Sequence, residues 1–285
     1  MKRLALYYQL TKPGIIRGNA IHTLAGALFA SVMSVDWAPT LGVLIGTSLV
    51  IASACVSNNY MDREIDKKMA RTKGRPSATG KISLHNAMAF ATLLLLVGFG
   101  ALYALTNWYV IAIGFVAYVF YVFLYGWAKR KTVYSTLVGA IPGALPAMAG
   151  YVAIDGVISI NAWLIFLLIF VWQMPHFYAI SLFRRKEYEQ AGLPVLGVVK
   201  TFEVVKTHIL LYIVLYICVI AAMITTETVN PAAGLLLLAG SAYWLYVCMK
   251  KEDDNVKWAK SVFGASLVLT LLLPIAGALK MIMSI

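Results

Sequence analysis

Asn58, Asp62 and Asp66 recur every four residues in Asn58-Asn59-Tyr60-Met61-Asp62-Arg63-Glu64-Ile65-Asp66. On a continuing helix that spacing stacks the three on one face. Two carboxylates stacked in this way repel each other unless a cation sits between them, and Asn58 adds a neutral amide oxygen. Such donors suit Mg2+, which takes one or two protein carboxylates and completes its octahedron with substrate phosphate oxygens and water. Glu64 lies two residues off that face and points to water or to a lysine. A basic run follows: Lys67, Lys68, Arg71, Lys73 and Arg75. The planar fork of arginine engages phosphate oxygens in pairs, so Arg71 and Arg75 are candidates to grip an anion. Gly74, Pro76 and Gly80 mark an irregular loop that can close over them. Carboxylates to hold a metal and arginines to hold an anion together fit a metal-bridged diphosphate.

The element that must carry these groups is a membrane helix, because residues 40–57 are almost entirely apolar. The whole chain shares that character: of 285 residues, 61% are hydrophobic and 13% charged, a composition that excludes a soluble globular protein. Nine apolar stretches of roughly 17–25 residues are each long enough to span a hydrocarbon core. They fall near 15–35, 40–60, 85–105, 108–127, 134–153, 161–181, 207–226, 231–249 and 261–282. The short connections near 106 and 155 make antiparallel neighbours. The expected fold is an all-α polytopic membrane protein, nine transmembrane helices in one bundle, forming a single domain over 1–285.

The net charge of +12 is topological rather than a nucleic-acid footprint. With the amino terminus placed in the cytoplasm, every lysine and arginine except Lys280 falls on inner segments, while Asp36, Asp155 and Glu227 mark the outer loops. This asymmetry is what the positive-inside rule demands. Cys55, Cys218 and Cys248 lie within spans and show no paired spacing, so they read as packing residues. The segment before the first span has neither a signal-peptide cleavage pattern nor the Ser content of a transit peptide. A bacterial plasma membrane, with the charged site facing the cytoplasm, is the expected address.

Two inner loops, about 61–84 and about 182–206, are longer than turns require. Each follows a span that is polar near its inner end, the second being Trp172-Gln173-Met174-Pro175-His176-Phe177. They are four spans apart and so share a membrane face, as in a parallel repeat. Inverted repeats, common in transporters, would put them on opposite faces. One site built from two half-sites is the expectation. The fifth span is rich in small residues and proline (Gly139, Ala140, Pro142, Gly143, Ala144, Pro146, Ala147, Ala149, Gly150), which serves either tight packing or a thinned wall beside a bulky ligand.

The Asn58/Asp62/Asp66 spacing followed by Arg71-Thr72-Lys73-Gly74-Arg75-Pro76 resembles the intramembrane prenyltransferases, which move isoprenoid chains from a diphosphate to aromatic or porphyrin acceptors. Leu10-Thr11-Lys12-Pro13-Gly14, the Lys129-Arg130 pair and Trp172-Gln173-Met174-Pro175-His176 are similar to the haem-farnesylating branch. The likeness runs from about Thr11 to Lys206 and is weaker in the last three spans. It implies Mg2+ held by Asn58, Asp62 and Asp66, and diphosphate held by Arg71, Arg75, Lys129 and Arg130. It also implies farnesyl diphosphate and haem B as substrates in a lipid bilayer, and raises association with haem A synthase or a terminal oxidase, for which no residue here speaks.

That branch usually has Asp at the position of Glu64, off the metal face. Quinone-type members carry a second aspartate-rich motif after the sixth span, where this chain has His176 and Glu187-Tyr188; Glu187 is the one candidate for a further metal ligand. For His176 three roles stay open: a structural hydrogen bond, an axial ligand of haem iron, or an acid–base group at the acceptor. His22, His85 and His208 read as structural. Among Tyr118, Phe120, Tyr121, Phe123 and Tyr125, mostly packing residues, one or two are candidates to line an isoprenoid channel and stabilise an allylic cation. The rival readings are a prenyltransferase for a quinone precursor or another ring, an ion-coupled transporter using Asp62 and Asp66, and a non-catalytic haem chaperone.

Overall fold

The computed structural model describes residues 2–283. Met1, Ser284 and Ile285, the ends of the expected 1–285 unit, lie outside the described residues. The chain opens with α1 (Lys2–Leu10) and α2 (Pro13–Ala30), continues through α3 (Trp37–Met61) and the short α4 (Arg63–Lys68), and returns through α5 (Leu84–Leu105). A third long rod is built in three parts: α6 (Trp108–Val119), a π-helical turn (Phe120–Tyr125) and α7 (Gly126–Lys131). Then come α8 (Ser135–Asp155), α9 (Ile160–Phe183), the short α10 (Arg185–Gln190) and α11 (Leu196–Val199), and finally α12 (Phe202–Thr225), α13 (Pro231–Met249) and α14 (Asn255–Ile282). No strand forms among the described residues, only an isolated bridge between Val32 and Ser34.

Eight helices among the described residues are long and apolar enough to cross a membrane: α3, α5, the 108–131 rod, α8, α9, α12, α13 and α14. The remaining expected span, near 15–35, is the 18-residue α2. It carries Arg17, Asn19 and His22, which lower its hydropathy, yet it packs between α8 and α14 inside the bundle. Two of its polar groups are satisfied on the helix itself: Asn19 Nδ2 donates to the Ile15 carbonyl and Thr23 Oγ1 to the Asn19 carbonyl, each at 2.9 Å. A polar helix can sit at membrane depth when protein rather than lipid surrounds it.

Helix starts are fixed by side chains that accept from first-turn N–H groups: Asp36 for α3, Ser83 for α5, Asn107 for α6, Ser159 for α9, Asn230 for α13 and Asp254 for α14. Each satisfies a donor that would otherwise be orphaned at the membrane surface. The α2–α8 crossing is a backbone-to-backbone contact. A Cβ on Gly26 would overlap the Ala147 carbonyl, and one on Gly150 would overlap that of Thr23. These helices approach as closely as small residues allow, the usual device where lipid gives no hydrophobic drive to association. Leu93, Leu96, Tyr103, Phe115, Leu235 and Leu271 point outward, as a lipid-facing surface requires.

Candidate active site

The α3–α4 junction carries the first group of polar residues. The helix axis breaks at Asp62, which ends α3 and precedes α4. The register survives the break, because the Asp62 N–H still donates to the Asn58 carbonyl at 2.9 Å and the Asp66 N–H to the Asp62 carbonyl at 2.8 Å. Asn58, Asp62 and Asp66 are all buried and line one cavity of about 600 Å³. Each is matched by a cation. Lys12 Nζ donates to Asn58 Oδ1 at 3.0 Å. Lys129 Nζ donates to Asp62 Oδ2, and Arg130 Nη2 to Asp62 Oδ1 at 3.1 Å. Arg75 Nη1 donates to both carboxylate oxygens of Asp66 at 2.9 Å. Buried charges must be paired in this manner to be tolerated at all.

The basic residues outnumber the two carboxylates. Lys12, Arg71, Arg75, Lys129, Arg184 and Lys260 all line the charged cavity, which is therefore net positive and suited to a polyanion. Burial pulls the Lys12 ammonium pKa down from its ordinary value, with Asp62 and Asp66 among the groups opposing that shift. Lys12 also holds a left-handed backbone at φ 52°, uncommon for a residue with a side chain, and this places its ammonium against α3. Arg71 is exposed at the rim, with no ion pair among the described residues.

The donor set fits a hard divalent cation. It is all oxygen, two carboxylates and one amide; no group of three or more His, Cys, Asp or Glu gathers among the described residues, here or elsewhere. So sparse a protein set is what Mg2+ accepts when phosphate and water supply the other ligands. Asn58 Nδ2 is buried without a hydrogen-bond partner, a donor suited to a further acceptor such as a phosphate oxygen. Glu187 is placed differently. Its Oε1 accepts from Arg184 Nη1 at 3.0 Å and its Oε2 is buried without a partner, and it does not line the charged cavity, to which Arg184 and Tyr188 contribute instead.

A second cavity of about 500 Å³ continues from the first, the two sharing Ile15, Tyr121, Tyr125, Lys129, Phe177 and Tyr188 among their walls. Its lining is mostly apolar and aromatic. Tyr121 and Tyr125 reach the junction from the π-helical turn, an element that often marks a functional position, and Lys129 Nζ lies 5.3 Å from the Tyr125 ring centroid. Gly139, Pro142 and Gly143 of α8 form one wall, while Gly150 on the same helix packs on α2. The small residues of this span thus both thin a wall and tighten a crossing. Gly143 leaves space that Gln173 fills, with Gln173 Nε2 donating to the Ala140 carbonyl at 3.0 Å.

His176 lines this second cavity, stacked on Trp172 at 4.6 Å between centroids and tilted against Phe263 at 4.8 Å. His22, expected to be structural, lines it too, edge-on to Trp172, with a buried Nε2 that has no hydrogen-bond partner. The two long loops meet above both cavities. Met69 packs with Ala191 and Leu193, joined by Ile65, Tyr188 and Val195, so a hydrophobic lid links the half-sites. Spacing alone could not show Lys12 or Asn59 as site residues, nor Phe263, Leu267 and Thr270 of α14 as cavity lining. Asn59 ties the region together, accepting from Arg75 at 3.4 Å and donating to the Leu10 carbonyl at 2.7 Å.

Residues 19–267 match the model of the UbiA prenyltransferase family. Protoheme IX farnesyltransferase of Aliivibrio salmonicida is 43% identical over 267 residues, covering 92% of each chain. Among solved structures, a digeranylgeranylglyceryl phosphate synthase shares the fold with a TM-score of 0.80 at 19% identity, over 99% of both chains. A UbiA homolog from Archaeoglobus fulgidus bound to GPP and Mg2+ does so with a TM-score of 0.75 at 16% identity, over 97% of this chain and 99% of that one. The chain is a multi-pass membrane prenyltransferase and belongs to the UbiA prenyltransferase family.

Proposed function

We propose that this protein transfers the farnesyl group of farnesyl diphosphate to a vinyl group of haem B, with addition of water, giving haem O and diphosphate. The observation that carries the reading is the continuity of the two cavities. A net-positive chamber with metal-binding oxygens opens into an aromatic chamber that contains His176. A diphosphate belongs in the first, and a flat, largely apolar ring in the second. The 43% identity to a protoheme IX farnesyltransferase supports haem over a quinone precursor as the acceptor.

Asn58, Asp62 and Asp66 are the residues that would hold Mg2+. When bound, it supplies Lewis acidity that stabilises the departing diphosphate. Lys12, Arg71, Arg75, Lys129 and Arg130 bind diphosphate oxygens and neutralise the charge that grows on them as the C1–O bond breaks, a preorganised electrostatic contribution. Lys12, Lys129 and Arg75 already line the cavity, held there by Asn58 and the aspartates, so little reorganisation is needed; Arg130 holds Asp62 from outside the lining. The farnesyl C1 becomes cation-like beside Tyr121 and Tyr125, whose ring faces favour positive charge. The vinyl π electrons form the new C–C bond to C1, and water captures the resulting carbocation and loses a proton. No strong base is required. The Met69–Leu193 lid keeps water from C1 until the acceptor has reacted.

The charge asymmetry supports a position for this chamber at the cytoplasmic face of a bacterial plasma membrane. Passing the product to haem A synthase or a terminal oxidase belongs to the same proposal. The test is Asp62→Asn in purified protein supplied with Mg2+, farnesyl diphosphate and haem B. Transfer is expected to fall by roughly 100-fold or more. Undiminished Mg2+-dependent product would remove Asp62 from the mechanism.

A further inference from the structure

Ser266, on α14, makes two contacts that together fix the state of His176. Its Oγ lies 2.6 Å from the Phe263 carbonyl, to which it donates, and 2.8 Å from His176 Nδ1. A serine hydroxyl has one hydrogen. With that hydrogen committed to Phe263, Oγ can only accept at the second contact, so His176 Nδ1 carries a proton. In a neutral imidazole the lone pair is then on Nε2. The Ser266 carbonyl accepts from Trp172 Nε1 at 3.0 Å. One residue of α14 thereby clamps the two stacked aromatics that α9 presents to the cavity. Trp172 stacks on the ring and Phe263 packs tilted against it, and Nε2 receives no hydrogen bond among the described residues.

We infer that Ser266 is a positioning residue, holding His176 as the Nδ1–H tautomer so that Nε2 offers its lone pair to the iron of a metalloporphyrin acceptor. The inference rests on the haem reading above. It uses the logic by which metal-bound histidines are prepared generally: the remote N–H is tied to an oxygen acceptor, which sets the tautomer and aims the ligating nitrogen. Ligation would seat the porphyrin by its centre and leave its vinyl edge to be directed toward the farnesyl carbon. A neutral imidazole also adds no charge to the apolar chamber.

The test is a titration of the full-length protein in detergent with ferric haem B, without farnesyl diphosphate, followed by the haem absorption spectrum. Wild type is expected to show the Soret shift of imidazole-bound iron, and His176→Ala to lose it. His176→Gly should regain it when free imidazole is added. Ser266→Ala should weaken haem binding by about 10- to 100-fold, the usual cost of removing such a support, and reduce the shift while the KM for farnesyl diphosphate stays unchanged. Ser266→Thr, which keeps the hydroxyl, should restore both. A thermal shift with farnesyl diphosphate shows that each variant is folded. A Ser266→Ala protein with wild-type haem affinity and spectrum would overturn the positioning role. An unchanged spectrum in His176→Ala, or no recovery of His176→Gly at saturating imidazole, would overturn the ligation. If wild type shows the shift but never prenylates the porphyrin, the haem O reading fails, while iron ligation by His176 and its dependence on Ser266 stand as binding properties.

Discussion

Two arginines of the same loop separate binding from stability. Arg71 stands at the rim without an ion pair among the described residues, whereas Arg75 compensates Asp66, whose carboxylate is 2% exposed. Arg71→Ala should raise the KM for farnesyl diphosphate about 10-fold, in the range of one lost hydrogen bond to a charged group, and leave the melting temperature in detergent unchanged. Arg75→Ala should do both kinds of damage. It removes a proposed phosphate ligand and orphans a buried carboxylate, the latter a loss of about 3 kcal/mol or more. Steady-state kinetics beside thermal unfolding checks the pair, and equal loss of stability in both variants would contradict the assignment. Asn58, Asp62 and Asp66 were legible in the sequence because polar residues at four-residue spacing stand out against an apolar run. Their partners were less legible. Nothing in local spacing says that Lys129 reaches Asp62 or that Lys12 reaches Asn58, since those contacts are made by the packing of separate helices. The same holds for Ser266, an ordinary small residue on a helix until α14 is laid against α9.

The long helices were readable from length and hydropathy, and their observed limits depart from the apolar stretches by a few residues. The apolar pattern could not show the π-helical turn at Phe120–Tyr125, because it changes hydrogen bonding without changing composition. Nor could it show that the second half of α2, from His22 onward, is buried against α8 and α14; that follows from the glycine contact with α8. The two long loops were recognisable as half-sites, but their meeting through Met69, Ala191 and Leu193 was not. That lid has a consequence of its own. Leu193→Asp puts a charge into the seam between the loops, at a residue that also borders both cavities. It should let water reach the farnesyl carbon, so that farnesol is released at the expense of transfer. Product partition measured by chromatography is the check; an unchanged ratio with an unchanged rate would mean that the lid excludes nothing.

At the scale of the molecule, charge and apolarity are segregated. Nearly all the basic residues gather toward one membrane face, and the charged cavity lies there beneath two loops. The aromatic cavity extends from it into the bundle between α2, α8, α9 and α14. This arrangement lets a water-soluble leaving group and two lipid-soluble partners meet at one boundary. Family membership excludes the transporter reading, and the clustering of the basic residues toward one side agrees with it. The most direct measurement is the mass of the products when purified protein is given Mg2+, farnesyl diphosphate, and haem B in competition with a quinone precursor. The expected product is a porphyrin that has gained one farnesyl group and one water, with the quinone precursor unmodified and the product abolished by chelating the metal. Prenylation of the quinone precursor with haem B recovered intact would contradict it.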